Sequence, residues 1–255
     1  MVSSVINIEV IPQLRDNYSY ILHSLENNFA VILDPAESES IIHFIKKNNL
    51  SIEAILITHH HNDHTAGIID LLNYKLVPVY SPSINIKGTT KVVYENKKIN
   101  LSFLEFSVLK TPGHTLDHII FYEHNNNLLF SGDTLFRLGC GRVFEGTYDQ
   151  MIDSLKKIEK LDDSTQVYCG HEYTLKNLEF LQSIFHNNKS LDDCKKKIIN
   201  QISKTKRSVP FLLGEEKKLN PFLSSKSSFY VKFMQNKGLN SSTFFKFIRD
   251  LKNDF

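Results

Sequence analysis

The stretch THHHNDHTAG, residues 58–67, constrains this chain more than any other, because it places four histidines and an aspartate in ten positions. It follows the apolar run AILI, which has the composition of a buried strand. In an extended or turning segment, residues two apart point the same way, so His59 and His61 can converge on one point while Asp63 and His64 reach another. We therefore expect a buried strand that ends in a turn carrying metal-ligating side chains.

Imidazole and carboxylate side chains are the ligands expected for zinc, and iron and manganese accept the same set. Three more candidate ligands stand at the ends of predicted strands, each beside a glycine that lets the backbone approach a metal closely. They are His114 in TPGH, Asp133 in SGDTLF and His171 in CGHEYT. A solvated polar loop is the alternative interpretation of the histidine turn, and these additional ligands argue against it.

Seven candidate ligands suit two divalent ions about 4 Å apart that share a bridging water. One distribution leaves no ligand over: His59, His61 and His114 on one ion, Asp63, His64 and His171 on the other, and Asp133 bridging both. By the same alternation His60 points away from both ions, and we assign it to packing or support.

The rest of the chain predicts a mixed α/β region followed by a helical one. Short apolar runs closed by Asn, Asp, Gly or Pro predict strands, and these runs are VINIEVIP, YSYILHS, FAVILDP, IEAILITH, LVPVYSP, KINLSFLEFSVLKT, HIIFYEH, NLLFSGD and TQVYCGH. Helical spacing occurs in SESIIHFIKKNN and TAGIIDLLN, and beyond about residue 172 in LKNLEFLQSIF, LDDCKKKIINQISK and STFFKFIRDLK. This mixture predicts sheets with helices outside them, and then a helical domain.

Composition narrows the class of protein. A chain of 255 residues with 41% apolar side chains suits a globular core, and a formal net charge of +2 gives no overall field for nucleic acid or an anionic membrane. Cys140, Cys169 and Cys194 are odd in number and lack CxxC spacing, so we expect free thiols. No apolar segment approaches the roughly 20 residues that span a bilayer, and the first residues read as a strand rather than a leader. We expect a cytoplasmic protein that is monomeric or weakly homo-oligomeric.

These motifs are similar to those of the metallo-β-lactamase superfamily, in which HxHxDH is followed by His, Asp and His. Within it, the chain resembles the glyoxalase II (hydroxyacylglutathione hydrolase) family over nearly its full length. The segments that carry the resemblance are DNYSYIL, LDP, THHHNDHTAG, TPGHT, FSGDTLF, GCGRVFEG, VYCGHEYTLKNLEF, LNPF and the terminal RDLK. The HxHxDH set specifies only the superfamily, whereas CGHEYT, the GCGR loop and the helical C-terminal region narrow it to the family.

The resemblance implies an αββα sandwich over residues 1–172 with the metals at one sheet edge, and a smaller α-helical domain over residues 173–255 that helps bind glutathione. The implied reaction is hydrolysis of S-D-lactoylglutathione, or other S-2-hydroxyacylglutathiones, to the 2-hydroxy acid and glutathione, the second step of methylglyoxal detoxification. Two divalent ions, with zinc favoured and iron or manganese compatible, would hold the attacking hydroxide. Asp63 and Asp133 would be the catalytic carboxylates, and no side-chain nucleophile is needed.

The resemblance also assigns five substrate-binding residues, which are Arg142, Phe144, Tyr173, Arg249 and Lys252. Phe144 stands where the family often has tyrosine, so one hydrogen bond to the substrate is expected to be missing. Arg249 and Lys252 are three residues apart and share a helical face, where they could clamp the glycine carboxylate of glutathione. Without the resemblance, a favourable interaction with the helix dipole would explain these two cations.

Three other functions stay open from the sequence. A mono-iron persulfide dioxygenase on the same scaffold would need only His59, His114 and Asp133. An RNA-processing metallo-nuclease could use the KKK and KTKR runs, residues 195–197 and 204–207, against phosphates. Those cations lie on amphipathic helices, where a solvated face is the commoner explanation. A non-catalytic binding module would have no need of a complete ligand set.

Overall fold

A computed structural model describes residues 6–255, which form two compact units. The first unit contains the described residues up to Lys110 together with Asp117–Gly132, and the second contains Thr111–Leu116 and Asp133–Phe255. Val5, the start of the predicted first strand, lies outside the described residues. These units are defined by packing within the structure, whereas the domains 1–172 and 173–255 are implied by the sequence resemblance. The domain boundary at residue 172 therefore stays a prediction.

The first unit contains a six-stranded sheet in which the strands follow one another in chain order. Its elements are β1 (Ile6–Gln13), β2 (Asn17–Ser24), β3 (Phe29–Leu33), β4 (Ser51–Leu56), β5 (Val79–Ser81) and β6 (Lys91–Val92), with helices α1 (Glu39–Lys47), α2 (Asn62–Thr65) and α3 (Ile68–Tyr74). Strands β1 to β3 are antiparallel, and β3 to β6 are parallel. Ile32 and Ile55 lie opposite each other in the parallel pairing and share one buried cluster with Ile41 and Ile68 of the helices. Burial of these apolar residues packs the helices on the sheet.

Four antiparallel strands of a second sheet lie in this unit, and they are β7 (Lys98–Asn100), β8 (Glu105–Lys110), β9 (Ile119–Glu123) and β10 (Leu128–Gly132). Phe106 and Phe130 meet edge to face at 6.1 Å between ring centroids, and Phe130 meets Tyr20 of the first sheet at 5.4 Å. The two sheets therefore face each other across an aromatic core.

The second unit is predominantly helical. It contains the hairpin strands β11 (Leu135–Phe136) and β12 (Gly139–Cys140), helix α4 (Tyr148–Glu159), the strand pair β13 (Gln166–Cys169) and β14 (Phe211–Leu212), and helices α5 (Thr174–Ile184), α6 (Lys189–Thr205), α7 (Leu213–Leu219), α8 (Ser228–Lys237) and α9 (Ser241–Asp254). Phe185 packs against Tyr230, Phe233 and Phe244 with ring centroids between 5.0 and 6.3 Å apart. The apolar stripes of α8 and α9 are thus buried around one aromatic cluster.

The fold confirms most of the strands and helices that the sequence predicts. The run KINLSFLEFSVLKT is wrong as one strand, because a turn divides it into β7 and β8. At that turn the backbone N–H and the hydroxyl of Ser102 both donate to Glu53, at 2.8 Å. Helices α4, α7 and α8 lie outside the predicted helical segments, and so does α2 apart from its last residue. Among residues 6–255, no helix combines the length and apolar character that crossing a membrane requires.

Candidate metal centre

The histidine turn lies at the carboxyl end of β4, in the first unit. His59 is fully buried, and His61 is the residue immediately before α2. The Nε2 atom of His59 and the Nδ1 atom of His61 lie 3.1 Å apart. Two ligands bound at 2.0 to 2.1 Å to a tetrahedral ion are separated by about 3.3 Å. The spacing of the two ring nitrogens therefore fits a shared metal ion.

Asp34 orients two of the histidines. Its Oδ2 atom lies 3.0 Å from Nδ1 of His64 and accepts a hydrogen bond of 2.7 Å from the hydroxyl of Thr58. That hydroxyl lies 3.0 Å from Nδ1 of His59, from which it can accept in turn. An ionised carboxylate only accepts, so these contacts place the protons on Nδ1 and leave Nε2 of both rings for a metal. Asp34 belongs to the LDP segment, and the sequence alone does not indicate this role.

We expect an Asp34→Asn substitution to weaken metal retention by about tenfold, because the carboxylate accepts through both oxygens, Oδ2 from His64 and the Thr58 hydroxyl and Oδ1 from the Thr58 backbone N–H, whereas an amide has only one acceptor oxygen. The loss stays moderate since one oxygen remains as an acceptor. The measurement is the zinc content of the protein after dialysis against graded chelator. Asp70→Asn, an exposed position on α3, is the matched control. Equal zinc retention in the Asp34 variant and the wild type would contradict this role.

Other contacts in the first unit support the same turn. The side-chain amide of Asn17 donates to Oδ2 of Asp63 at 3.0 Å, and this oxygen lies 3.8 Å from Nε2 of His64. His118 stacks on His59 with ring centroids 4.8 Å apart. His60 instead lies 2.9 Å from Asp117. Sequence reasoning missed the roles of Asn17 and His118, although the DNYSYIL segment contained the first of them.

The remaining three candidate ligands lie together in the second unit. One carboxylate oxygen of Asp133, Oδ2, is 3.4 Å from Nε2 of His114 and 3.3 Å from Nε2 of His171. All three side chains are buried. The carbonyl oxygen of Arg142 accepts from Nδ1 of His114 at 2.8 Å, so in the neutral ring it is Nε2 that offers a lone pair to a metal. Asp133 therefore has a carboxylate oxygen between two imidazole nitrogens, which is the position expected for a ligand that bridges two ions.

Three of the predicted substrate-binding residues lie beside these ligands. The Tyr173 ring stacks on His171, with centroids 4.8 Å apart and planes 5° apart. Phe144 meets His114 edge to face at 5.3 Å and is 60% exposed. The exposed guanidinium of Arg142 lies 5.4 Å from the centre of the Phe144 ring. These side chains border the second unit's ligands on the side open to solvent.

The two cations of α9 have different surroundings. Arg249 is only 5% exposed, and its Nη1 donates to the carbonyl oxygen of Cys140 at 3.0 Å. The ammonium of Lys252 lies 4.9 Å from the centre of the Phe180 ring and 5.0 Å from that of Phe255. Burial, and then the charge of Arg249, lowers the pKa of Lys252 to about 8. Arg249 thus has a structural contact that the sequence did not predict, and its contact with substrate stays a prediction.

The three cysteines are buried thiols that form no disulfide. Burial raises the pKa of the Cys140 thiol, and it raises that of Cys194 to about 11, so neither is a thiolate at neutral pH.

We expect a variant with Cys140, Cys169 and Cys194 all replaced by serine to keep its turnover rate within a few-fold of the wild type. Steady-state kinetics with parallel metal analysis checks this. A complete loss of activity with metal still bound would show that a thiol takes part in the reaction.

Family models match both regions of the chain. The model described as "Metallo-beta-lactamase superfamily" matches residues 13–90 and 84–171. The model described as "Hydroxyacylglutathione hydrolase C-terminus" matches residues 172–255. The histidine turn and the three buried ligands lie within the first match, and helices α5 to α9 lie within the second.

One relative and two solved structures are similar to this chain over most of its length. A protein from Pectobacterium atrosepticum named hydroxyacylglutathione hydrolase is 41% identical over 98% of this chain and 100% of its own length. The crystal structure of ETHE1 from Myxococcus xanthus is similar with a TM-score of 0.66 and 24% identity, over 94% of this chain and 95% of that one, which shows the fold alone. The crystal structure of TTHA1623 in a di-iron-bound form has a TM-score of 0.55 and 26% identity, over 65% of this chain and 91% of that one. The chain has the metallo-β-lactamase fold, followed by a helical C-terminal region.

Proposed function

Because the chain belongs to the hydroxyacylglutathione hydrolase family of the metallo-β-lactamase superfamily, we propose that it hydrolyses S-D-lactoylglutathione and other S-2-hydroxyacylglutathiones. The products are the 2-hydroxy acid and glutathione. The observation that carries this proposal is the match of residues 172–255 to the family's C-terminal region, since the metal-ligand motif alone is shared across the superfamily. The enzyme is a hydrolase, and its location in the cytoplasm stays a prediction.

The His and Asp ligands on this fold support binding of divalent metal. We propose two ions, and the ligand set is His59, His61 and His114 for one, Asp63, His64 and His171 for the other, with Asp133 shared. The ligand pairs within each unit support this assignment, because their spacings of 3.1 to 3.4 Å match adjacent ligands of one ion. Zinc, iron and manganese all accept these ligands. The di-iron form of a similar protein supports iron as an alternative to zinc.

Bound divalent ions would supply a nucleophilic water at neutral pH and polarise the thioester carbonyl. The protein's own contribution is to keep the ligands in their metal-binding protonation states. Asp34 and the Arg142 carbonyl hold protons at Nδ1 of His64 and His114, and Asn17 fixes the carboxylate of Asp63. In the overall reaction a carbon–oxygen bond forms at the carbonyl, the carbon–sulfur bond breaks, and the thiolate of glutathione leaves and takes a proton from solvent.

Glutathione carries two carboxylates, so its site requires cations and hydrogen-bond donors. We propose that Arg142 and Lys252 supply the charges and that the Tyr173 hydroxyl donates to the peptide, with Arg249 as a further cation. Phe144 can offer only apolar contact, because it lacks a hydroxyl. Its exposure of 60% leaves this ring accessible to the substrate.

The test is an assay of the purified enzyme that follows thiol release and dissolved oxygen in the same sample. With S-D-lactoylglutathione we expect one thiol per 2-hydroxy acid and no oxygen consumption. Oxygen uptake with glutathione persulfide, without thioester hydrolysis, would instead support the persulfide dioxygenase. A third arm with structured RNA tests the nuclease, and cleavage of RNA in the absence of thioester hydrolysis would overturn the proposal.

A further inference from the structure

A short hairpin in the second unit connects two parts of the proposed site. Strands β11 and β12 pair Leu135 with Cys140 and Phe136 with Gly139. The residue at its tip, Leu138, has a φ of +59°, which is rare for a residue with a bulky side chain. Asp133 precedes the hairpin by two residues, and Arg142 follows it by two. The conformation of the hairpin therefore sets the spacing between a metal ligand and a substrate-binding residue.

Two side chains, one within α7 and one at the residue that follows it, bind the hairpin's backbone. The amide of Asn220 donates to the carbonyl oxygens of Phe136 at 3.3 Å and Gly139 at 3.0 Å. A carboxylate oxygen of Glu216 accepts from the backbone N–H of Leu138 at 2.7 Å and from the Asn220 amide at 3.0 Å. Asn220 is 0% exposed and Glu216 is 1% exposed, so water cannot replace these contacts.

Helices α5 and α9 bind two further carbonyl groups of the hairpin. The amide of Asn177 donates to the Arg137 oxygen at 3.0 Å, and Nη1 of Arg249 donates to the Cys140 oxygen at 3.0 Å. Each of the five residues 136–140 thus has a backbone group bound by a buried side chain from the helical region. We call these four side chains, which are Asn177, Glu216, Asn220 and Arg249, the hairpin clamp.

The hairpin ends reach the candidate ligands directly. The backbone N–H of Gly141 donates to the carbonyl oxygen of Thr134 at 3.2 Å, which closes the base of the hairpin. The next carbonyl, that of Arg142, accepts from Nδ1 of His114 and thereby selects the tautomer of that ligand. A hairpin that shifts would move Asp133 and release His114 together.

Glu216 is an unusual choice for a structural contact, because an ionised carboxylate is costly to bury. Burial raises its pKa to about 7, and the Leu138 N–H, the Arg137 guanidinium and the Asn220 amide act in the opposite direction. An apolar residue would fill the same space without that cost, but it could not accept from the strained tip of the hairpin. The position requires an acceptor.

We propose that Asn220 and Glu216 are positioning residues, which hold the 136–140 hairpin so that Asp133, His114 and Arg142 keep their arrangement for metal and substrate. The inference rests on the proposed function for its effect on catalysis, although its effect on metal binding does not depend on the substrate. Asn220 belongs to the LNPF segment, one of the segments that carry the family resemblance.

The test compares Asn220→Ala and Glu216→Leu with two controls. Glu216→Gln keeps one oxygen acceptor for Leu138 and is the conservative rescue. Glu215→Leu is the matched control, because Glu215 is the neighbour of Glu216 on α7 and pairs with Lys197 at 2.9 Å. For each variant we measure the zinc retained against graded chelator, the kcat and KM for S-D-lactoylglutathione, and the unfolding temperature of the metal-free protein.

We expect Asn220→Ala and Glu216→Leu to lose zinc at about tenfold lower chelator concentration and to lose about tenfold in kcat. Glu216→Gln and Glu215→Leu should remain within about threefold of the wild type. A lowered unfolding temperature with unchanged zinc retention and kcat would overturn the proposal, because it would show a purely structural contact. If Glu216→Leu does not fold, Asn220→Ser is measured in the same way. If the wild type does not hydrolyse the thioester, zinc retention still decides the role of the clamp.

Discussion

An Asp133→Ala variant is expected to lose about a thousandfold or more in kcat and to bind less metal than the wild type. The reason is the position of the Asp133 carboxylate, whose Oδ2 atom lies 3.4 Å from Nε2 of His114 and 3.3 Å from Nε2 of His171. Removal of this oxygen takes a ligand from both proposed ions at once. Steady-state kinetics together with elemental analysis of the same preparation measures the effect.

Asp153→Ala is the matched control for this variant, because it removes an exposed carboxylate of α4 that is paired with Lys156 at 3.0 Å. We expect that control to match the wild type in metal content and turnover. An Asp133 variant that kept both its metal and its turnover would exclude a bridging carboxylate. Anomalous scattering that showed a single ion without Asp63, His64 and His171 among its ligands would exclude the binuclear arrangement.

A Lys252→Met variant is expected to raise KM by about 10- to 100-fold with little change in kcat. A charged hydrogen bond shielded from water contributes about 1.5 to 3 kcal/mol, and each 1.4 kcal/mol corresponds to a factor of ten. A contact that is equally strong in the ground state and the transition state affects KM alone. Steady-state kinetics at two ionic strengths measures the effect, since salt should weaken binding more in the wild type than in the variant.

The lowered pKa of Lys252 adds a dependence on pH. Because this pKa is lowered to about 8, the ammonium is present below about pH 8 and is lost as pH rises through that value. The wild-type KM should therefore rise above about pH 8, whereas the KM of the variant should not follow that rise. An unchanged KM in the variant, or a large fall in kcat alone, would show that Lys252 does not hold the substrate.

Substitution of Lys252 tests carboxylate recognition more specifically than substitution of Arg249. Arg249 donates to the backbone of Cys140, so its removal would disturb the hairpin as well as any contact with substrate. Removal of one partner from a buried charged contact leaves the other unsatisfied, which is a separate source of lost stability. Effects of the two cations measured together could not be assigned to binding alone.

The candidate ligands could be read from the sequence because their geometry is local. The histidine turn follows β4 directly, and side-chain alternation predicts that His59 and His61 converge. Asp133 follows β10 and His171 follows β13, so both stand where a strand ends. Apolar runs bounded by turn residues likewise predicted most of the strands, since burial and turn chemistry are properties of short segments.

The supporting contacts could not be predicted, because they join residues distant in sequence. Asp34 is 30 residues from His64, Asn17 is 46 from Asp63, and Asn220 is 81 from Gly139. No periodicity links such pairs, and only the packing of the elements brings them within hydrogen-bond distance. The burial of Arg249 has the same origin, since an i, i+3 pattern describes a helical face and not what covers it.

The most direct test of hydrolysis by two bound metal ions is a zinc titration of the metal-free enzyme in the presence of S-D-lactoylglutathione. The binuclear mechanism predicts no measurable turnover without metal, and activity that rises with added zinc until about two equivalents per chain are bound. Full activity in the metal-free protein, or a zinc-saturated protein that does not hydrolyse the thioester, would contradict it.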